Sequence, residues 1–106
     1  MKDLSIIIVS WNVAGLLKSC LESIDRSPFP ADRLEVIVVD SASSDDSVQQ
    51  VRQHFPQVTL LSQSENLGFT RCNNIGIQTS TGRYIFLLNP DTEVLDDALA
   101  QMVAYM

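Results

Sequence analysis

Four short apolar runs recur along the chain, and each is continuous rather than alternating. They are Leu4 to Val9, Glu35 to Val39, Val58 to Leu61 and Tyr84 to Leu88. A strand covered on one face alternates apolar and polar residues. An unbroken run rich in Ile, Val and Leu reads instead as a parallel strand covered on both faces. Parallel neighbours cannot be joined by a tight turn, so every gap between the runs must hold a crossover, usually a helix.

The gaps carry that signal. Leu16, Leu17, Cys20, Leu21 and Ile24 recur at helical spacing, and so do Val48, Val51 and Phe55. Before the second of these groups, Ser43 or Ser44 is the expected N-cap, with Asp45 and Asp46 in the first turn. A third helix is expected over Thr70 to Thr79, ended by Gly82 as a C-cap, although Asn73, Asn74 and Gly76 interrupt its apolar stripe. Leu95, Ala98, Leu99, Met102, Val103 and Met106 form a last stripe with no stop signal behind it. The segment Ser27 to Asp32 carries Pro28 and Pro30 and is expected to be a loop. The order β-α-β-α-β-α-β-α, with right-handed crossovers, implies an α/β fold with helices on both faces of a mostly parallel four-stranded sheet.

Composition narrows the function. The chain has 106 residues, 45% hydrophobic and 19% charged, which suits one packed domain. A formal charge of −6 argues against nucleic acid, which needs a basic patch. Phosphorylated small molecules stay open, because backbone N–H groups and a metal can hold them. The two cysteines, Cys20 and Cys72, make neither a metal-spaced cluster nor a disulfide framework, and Cys20 reads as core. With no signal peptide and no run long enough to span a bilayer, a cytoplasmic setting is expected, compatible with peripheral attachment to the inner face of a membrane.

In an open α/β sheet, ligands bind beyond the carboxyl ends of the strands. Those ends read Ser10-Trp11-Asn12, Asp40-Ser41-Ala42-Ser43-Ser44-Asp45, Ser62 to Phe69, and Asn89-Pro90-Asp91-Thr92-Glu93. Singly, Asp40 and Asp91 are ordinary turn residues and Gly68 an ordinary left-handed position. Four polar ends converging on one edge make a site. Trp11 directly after a strand suits a platform for a nucleobase. The dinucleotide glycine pattern, the P-loop and the serine-hydrolase elbow are all missing, and His54 lies far from these ends.

These blocks resemble the large inverting family 2 of glycosyltransferases with the GT-A fold, in particular rhamnosyltransferase-like members. Ser5 to Asn12 is similar to the opening strand, with Trp11 where tyrosine is usual. Val38 to Asp45 is similar to the Val-Asp-Asn-Ala-Ser-x-Asp block, with Ser41 for Asn, and Asp46 where Gly is common. Asn66-Leu67-Gly68-Phe69 with Asn73-Asn74-Ile75-Gly76, and Leu88-Asn89-Pro90-Asp91, match two further stretches, the last being a version of the Asp-x-Asp metal motif.

The resemblance implies a Rossmann-like GT-A half that binds a nucleotide-diphosphate sugar. Asp40 would accept a hydrogen bond from the base, and Trp11 would pack on base or ribose. Ser10, Asn12, Ser41, Asn66, Gly68, Arg71, Asn74 and Asn89 would complete the donor site, with Arg71 a charge partner for phosphate. Asp91 would bind Mg²⁺ or Mn²⁺ bridging the phosphates, with Glu93 a second candidate. The catalytic base is expected beyond residue 106, in a longer protein acting on a glycan or lipid-linked acceptor, so this piece alone is expected to bind donor without transferring sugar. A non-catalytic nucleotide-binding or interaction domain is the alternative. An uncovered fourth strand and last helix would favour self-association.

Overall fold

The computed structural model describes residues 2–95 and 98–105. Four parallel strands form one sheet: β1 (Leu4–Ser10), β2 (Leu34–Asp40), β3 (Thr59–Ser62) and β4 (Tyr84–Leu87), in the spatial order β3-β2-β1-β4. Between and after them lie helices α1 (Ala14–Arg26), α2 (Ser47–His54), α3 (Phe69–Thr79) and α4 (Ala98–Tyr105). The four expected runs are therefore the four strands, each displaced by a residue or two at most.

Strand order and crossover handedness decide where the helices go. The steps β1 to β2 and β2 to β3 run the same way across the sheet, so right-handed crossovers put α1 and α2 on one face. The step β3 to β4 runs back past two strands and puts α3 on the other. The core divides accordingly. Leu4, Ile6 and Ile8 of β1 and Val38 of β2 pack with Leu17, Leu21, Ile24, Val51 and Leu99, which places α4 on the α1 side. Ile7, Ile37 and Val39 face the opposite way and pack with Cys72. Burying an aliphatic side chain of this kind contributes roughly 1.5–3 kcal/mol.

Several local expectations change. Only β1 and β2 are covered on both faces. On β4, Ile85 and Leu87 are 40% and 46% exposed, because α3 packs over β1 and β2 and leaves that side of β4 open. Gly82 does not cap α3. The helix ends at Thr79 with Ser80 as cap, its N–H bonded to the carbonyls of Gly76 and Ile77. Gly76 interrupts the α3 stripe for a packing reason: a Cβ there would stand 2.5 Å from Ile7 Cγ2. Leu95 precedes α4 and is exposed, Leu99 is buried, and Met106 lies outside the described residues. The α2 helix starts at Ser47, later than a Ser43 or Ser44 cap would place it, because those two hydroxyls serve Asp40 and Asn12. Among the described residues, no helix is long and apolar enough to cross a membrane.

Candidate functional site

The reversal in strand order falls between β1 and β4, where an open sheet offers a crevice at its carboxyl edge. A cleft of about 290 Å³ lies there. Val9, Trp11 and Val13 come to it from the end of β1, Ser41 from β2, Asn66, Gly68 and Phe69 from the start of α3, and Pro90 from β4. Its walls are apolar and aromatic, with Ser41 and Asn66 as the polar side chains, a composition typical of small-molecule sites. Trp11 is 53% and Phe69 60% exposed.

A compact knot of hydrogen bonds builds one side of the cleft. Ser41 Oγ donates to Asn66 Oδ1 at 2.8 Å and accepts from Leu67 N–H at 2.9 Å. Asn66 Oδ1 also accepts from Gly68 N–H at 3.1 Å. Gly68 itself sits at φ 83° and ψ 168°, a backbone that residues with a Cβ avoid. The bend aims the start of α3 at the cleft, with Arg71 and Asn74 exposed in its first turns.

Three expected site residues face elsewhere. Ser10 has the same parity along β1 as Ile6 and Ile8, is fully buried, and its Oγ is the one buried side-chain oxygen without a hydrogen-bond partner among the described residues. It does not line the cleft. Asp40 is 1% exposed, and its carboxylate accepts from Ser43 N–H at 2.9 Å and Ser43 Oγ at 2.6 Å. Asn12 is turned to the β2–α2 loop, where its Oδ1 accepts from Ser44 N–H at 2.7 Å.

On the β4 side, Thr92 N–H donates to the carbonyl of Asn89 at 3.0 Å, closing a turn that leaves Asn89 and Asp91 exposed. Glu93 is paired with Arg26 at 3.4 Å. Among the described residues, no three His, Cys, Asp or Glu side chains could hold a metal together. Asp91 thus offers a single hard oxygen donor. That fits a cation that keeps its waters and completes its shell with phosphate oxygens. Asp91 also acts on Cys20: burial pushes that thiol up to about 11, and the carboxylate charge adds to the rise. The thiol stays protonated at neutral pH and is core, as expected from its place on α1.

A family model, that of glycosyl transferase family 2, matches residues 5–106. The chain belongs to glycosyl transferase family 2. A glycosyltransferase of Escherichia coli K12, YibD, whose own function is uncharacterized, is 34% identical over 94 residues, 86% of this chain and 26% of that protein. The GalNAc(5)-diNAcBac-PP-undecaprenol beta-1,3-glucosyltransferase of Campylobacter jejuni is 31% identical over 107 residues, 97% of this chain and 34% of its own. Among solved structures, the mannosyltransferase PcManGT of Pyrobaculum calidifontis, in complex with GDP-Man and Mn²⁺, superposes with a TM-score of 0.79 at 30% identity over 85% of this chain and 28% of that one. Staphylococcus aureus TarS 1-349 with UDP shares the fold, with a TM-score of 0.90 at 23% identity over 99% of this chain and 32% of that one. The chain thus spans 26% and 34% of the length of these two relatives.

Sequence reasoning missed two features of the cleft and the loops beside it. Phe69 was passed over as the tail of a motif, yet it is the most exposed aromatic of the cleft. Its position straight after a glycine, at the start of a helix, was the available signal. The other is Asp45. Its Oδ1 accepts from Ser47 N–H at 3.0 Å and from the Ser47 hydroxyl, and its Oδ2 from Ala14 N–H at 3.2 Å. One carboxylate thereby caps the starts of both α1 and α2.

The Ser47 hydroxyl, foremost, holds the Asp45 carboxyl below its ordinary value of 3.8; burial opposes it, and the N–H groups of Ser47, Ala14 and Asp45 itself add to the lowering. A depressed folded-state value means stabilisation that is complete above the unfolded-state value and is lost as pH falls through the folded one. Asp45→Asn is therefore expected to lower the urea midpoint at pH 7, with the gap to the native chain closing as the pH falls below 3.8 and through the lowered folded-state value. Because Asp45 is exposed, solvent screening keeps the effect small. An equal gap at pH 7 and below that value would remove the carboxylate from the account.

Proposed function

We propose that the chain is the donor-binding part of an inverting, rhamnosyltransferase-like sugar transferase, and that the catalytic base and acceptor site belong to chain beyond residue 106. One observation carries this reading: Trp11, Ser41, Asn66, Gly68, Phe69 and Pro90, drawn from every strand end, line a single cleft with the Asp91 turn at its side. In this reading, Trp11 packs on the base or ribose of a nucleotide-diphosphate sugar. Asn66 and Ser41 supply polar contacts, Arg71 and Asn74 face the diphosphate, and Asn89 completes the donor site. Asp40 contributes a remaining lone pair or holds its loop through Ser43. Asp91 would hold Mg²⁺ or Mn²⁺. The cation would supply neutralisation of the charge that develops on the departing diphosphate. Inversion requires an acceptor hydroxyl, deprotonated by a carboxylate, to attack opposite the leaving group.

The acceptor in the whole protein is a glycan or a lipid-linked saccharide, a reading supported by the undecaprenol-linked saccharide for which the Campylobacter relative is named. The exposed side of β4, with Ile85 and Leu87, supports self-association of the isolated piece.

Trp11 is the one tryptophan of the chain and provides the signal for the test. Titration with UDP, dTDP and GDP is expected to change its fluorescence saturably for at least one of them. Mn²⁺ should tighten that binding, and Asp91→Asn should abolish the tightening while leaving the metal-free affinity in place. Sugar transfer by the 106-residue chain is expected to be absent. No saturable signal with any of the three nucleotides, or multiple-turnover transfer by the chain alone, would overturn the reading.

A further inference from the structure

The β1–α1 and β2–α2 loops are stitched together by side chains that make no part of the cleft wall. Asn12 N–H donates to Ser43 Oγ at 2.9 Å. Asn12 Oδ1 accepts from Ser44 N–H at 2.7 Å, with Ser44 Oγ at 3.3 Å and Asp45 N–H at 3.4 Å. Ser43 passes the link on to the buried Asp40 carboxylate through its own N–H and Oγ. Asp45 then reaches back, its Oδ2 accepting from Ala14 N–H at 3.2 Å. The two loops are thus clamped in both directions.

Two backbone positions show how firmly. Asn12 has φ 53° and Ala42 has φ 60°, and they are the non-glycine residues with positive φ among the described ones. Asn tolerates that region; Ala enters it only under strain. Such a conformation persists where its surroundings over-determine it. Here Ser43 and Ser44, directly after Ala42, are both tied down. The neighbours of the clamp are the parts of the cleft: Trp11 precedes Asn12, and Ser41 precedes Ala42.

We infer that Asn12 and Asp45 are positioning residues, which set the spacing between the Trp11 platform and the Ser41–Asn66 wall without touching the donor. The inference rests on the proposed function for what the cleft binds. It reassigns Asn12 from contact to support. Preorganised walls raise affinity by removing the ordering that binding would otherwise require. Loss of the clamp should therefore appear in nucleotide affinity and in the mobility of Trp11 before any ligand is added.

The test compares three chains. Asn12→Gly keeps the left-handed backbone and removes Oδ1. Asp45→Asn loosens the reach back to Ala14. Glu35→Ala is a control for general loosening, since Glu35 Oε1 joins Ser5 Oγ and Thr81 N–H, each at 2.8 Å, at the other end of the sheet. Asn12→Gly is expected to weaken binding of the best nucleoside diphosphate about tenfold, in line with the loss of one or two hydrogen bonds, and to lower Trp11 anisotropy in the free chain. Asp45→Asn should do the same more weakly, while Glu35→Ala lowers the thermal midpoint with affinity and anisotropy unchanged. Native affinity and anisotropy in Asn12→Gly would overturn the inference, and so would an equal loss of affinity in Glu35→Ala. If the native chain bound no nucleotide, the proposed function would fail, and the clamp would still stand or fall on the anisotropy of the free chain.

Discussion

Gly82→Ala is expected to destabilise the chain by about 3 kcal/mol, the upper end of what overpacking costs, lowering the melting midpoint by roughly 10–20 °C. A Cβ at this position would lie 2.3 Å from Ser5 Oγ, 2.5 Å from Ser5 N and 2.9 Å from the Leu4 carbonyl carbon. The last two are backbone atoms of β1, where Leu4 pairs with Leu34 on one side and Tyr84 on the other. They cannot swing aside as a side chain would. The displacement would also break a polar cluster: Gly82 N–H donates to Ser5 Oγ at 2.8 Å, and Ser5 Oγ donates in turn to Glu35. Thermal unfolding followed by circular dichroism checks this. A midpoint within a few degrees of the native chain would show that the turn can move away from β1 at little cost.

Asn66→Asp is expected to weaken nucleotide binding on the order of 100-fold, the size of a lost hydrogen bond compounded by a misplaced charge, with little change in stability. The reasoning is a count of donors and acceptors. Asn66 Oδ1 already takes Ser41 Oγ and Gly68 N–H. That network assigns which way the amide points and leaves Nδ2, a pure donor, as the group offered to a ligand. Aspartate keeps both internal hydrogen bonds and turns the offered donor into an anionic acceptor beside a diphosphate. Titration of the variant through Trp11, alongside its melting curve, separates the two effects. Native affinity would mean that the amide nitrogen faces away from the donor.

How far the residues alone disclosed this arrangement depends on the range of the interactions involved. The strands were legible because their burial is written into contiguous side chains such as Ile6-Ile7-Ile8 and Val36 to Val39. The gathering of Trp11, Ser41, Asn66 and the Asp91 turn was legible because it follows from strand direction. Gly82 was misread, and the packing reason for Gly76 went unseen, because what matters at each is a β1 backbone or side chain more than sixty positions away in sequence. The start of α2 was misplaced because Ser43 and Ser44 look like caps until Asn12 and Asp40 claim their hydroxyls. Ser10 was assigned to the cleft although its parity with Ile6 and Ile8 already pointed it under α1. The open side of β4 could not be read from Tyr84 to Leu88, since it depends on where α3 comes to rest.

Cys20 packs in the layer under α1, and Cys72 in the layer under α3, so the sheet stands between two buried thiols. No disulfide can join them while the sheet is intact. Each sulfur is instead a local clock. The rate at which a thiol-reactive reagent modifies Cys20 reports how often the α1 layer lifts, and the rate at Cys72 reports the same for the α3 layer. Comparing the two rates tells whether this small domain breathes as a single unit or sheds one face of its sheet before the other.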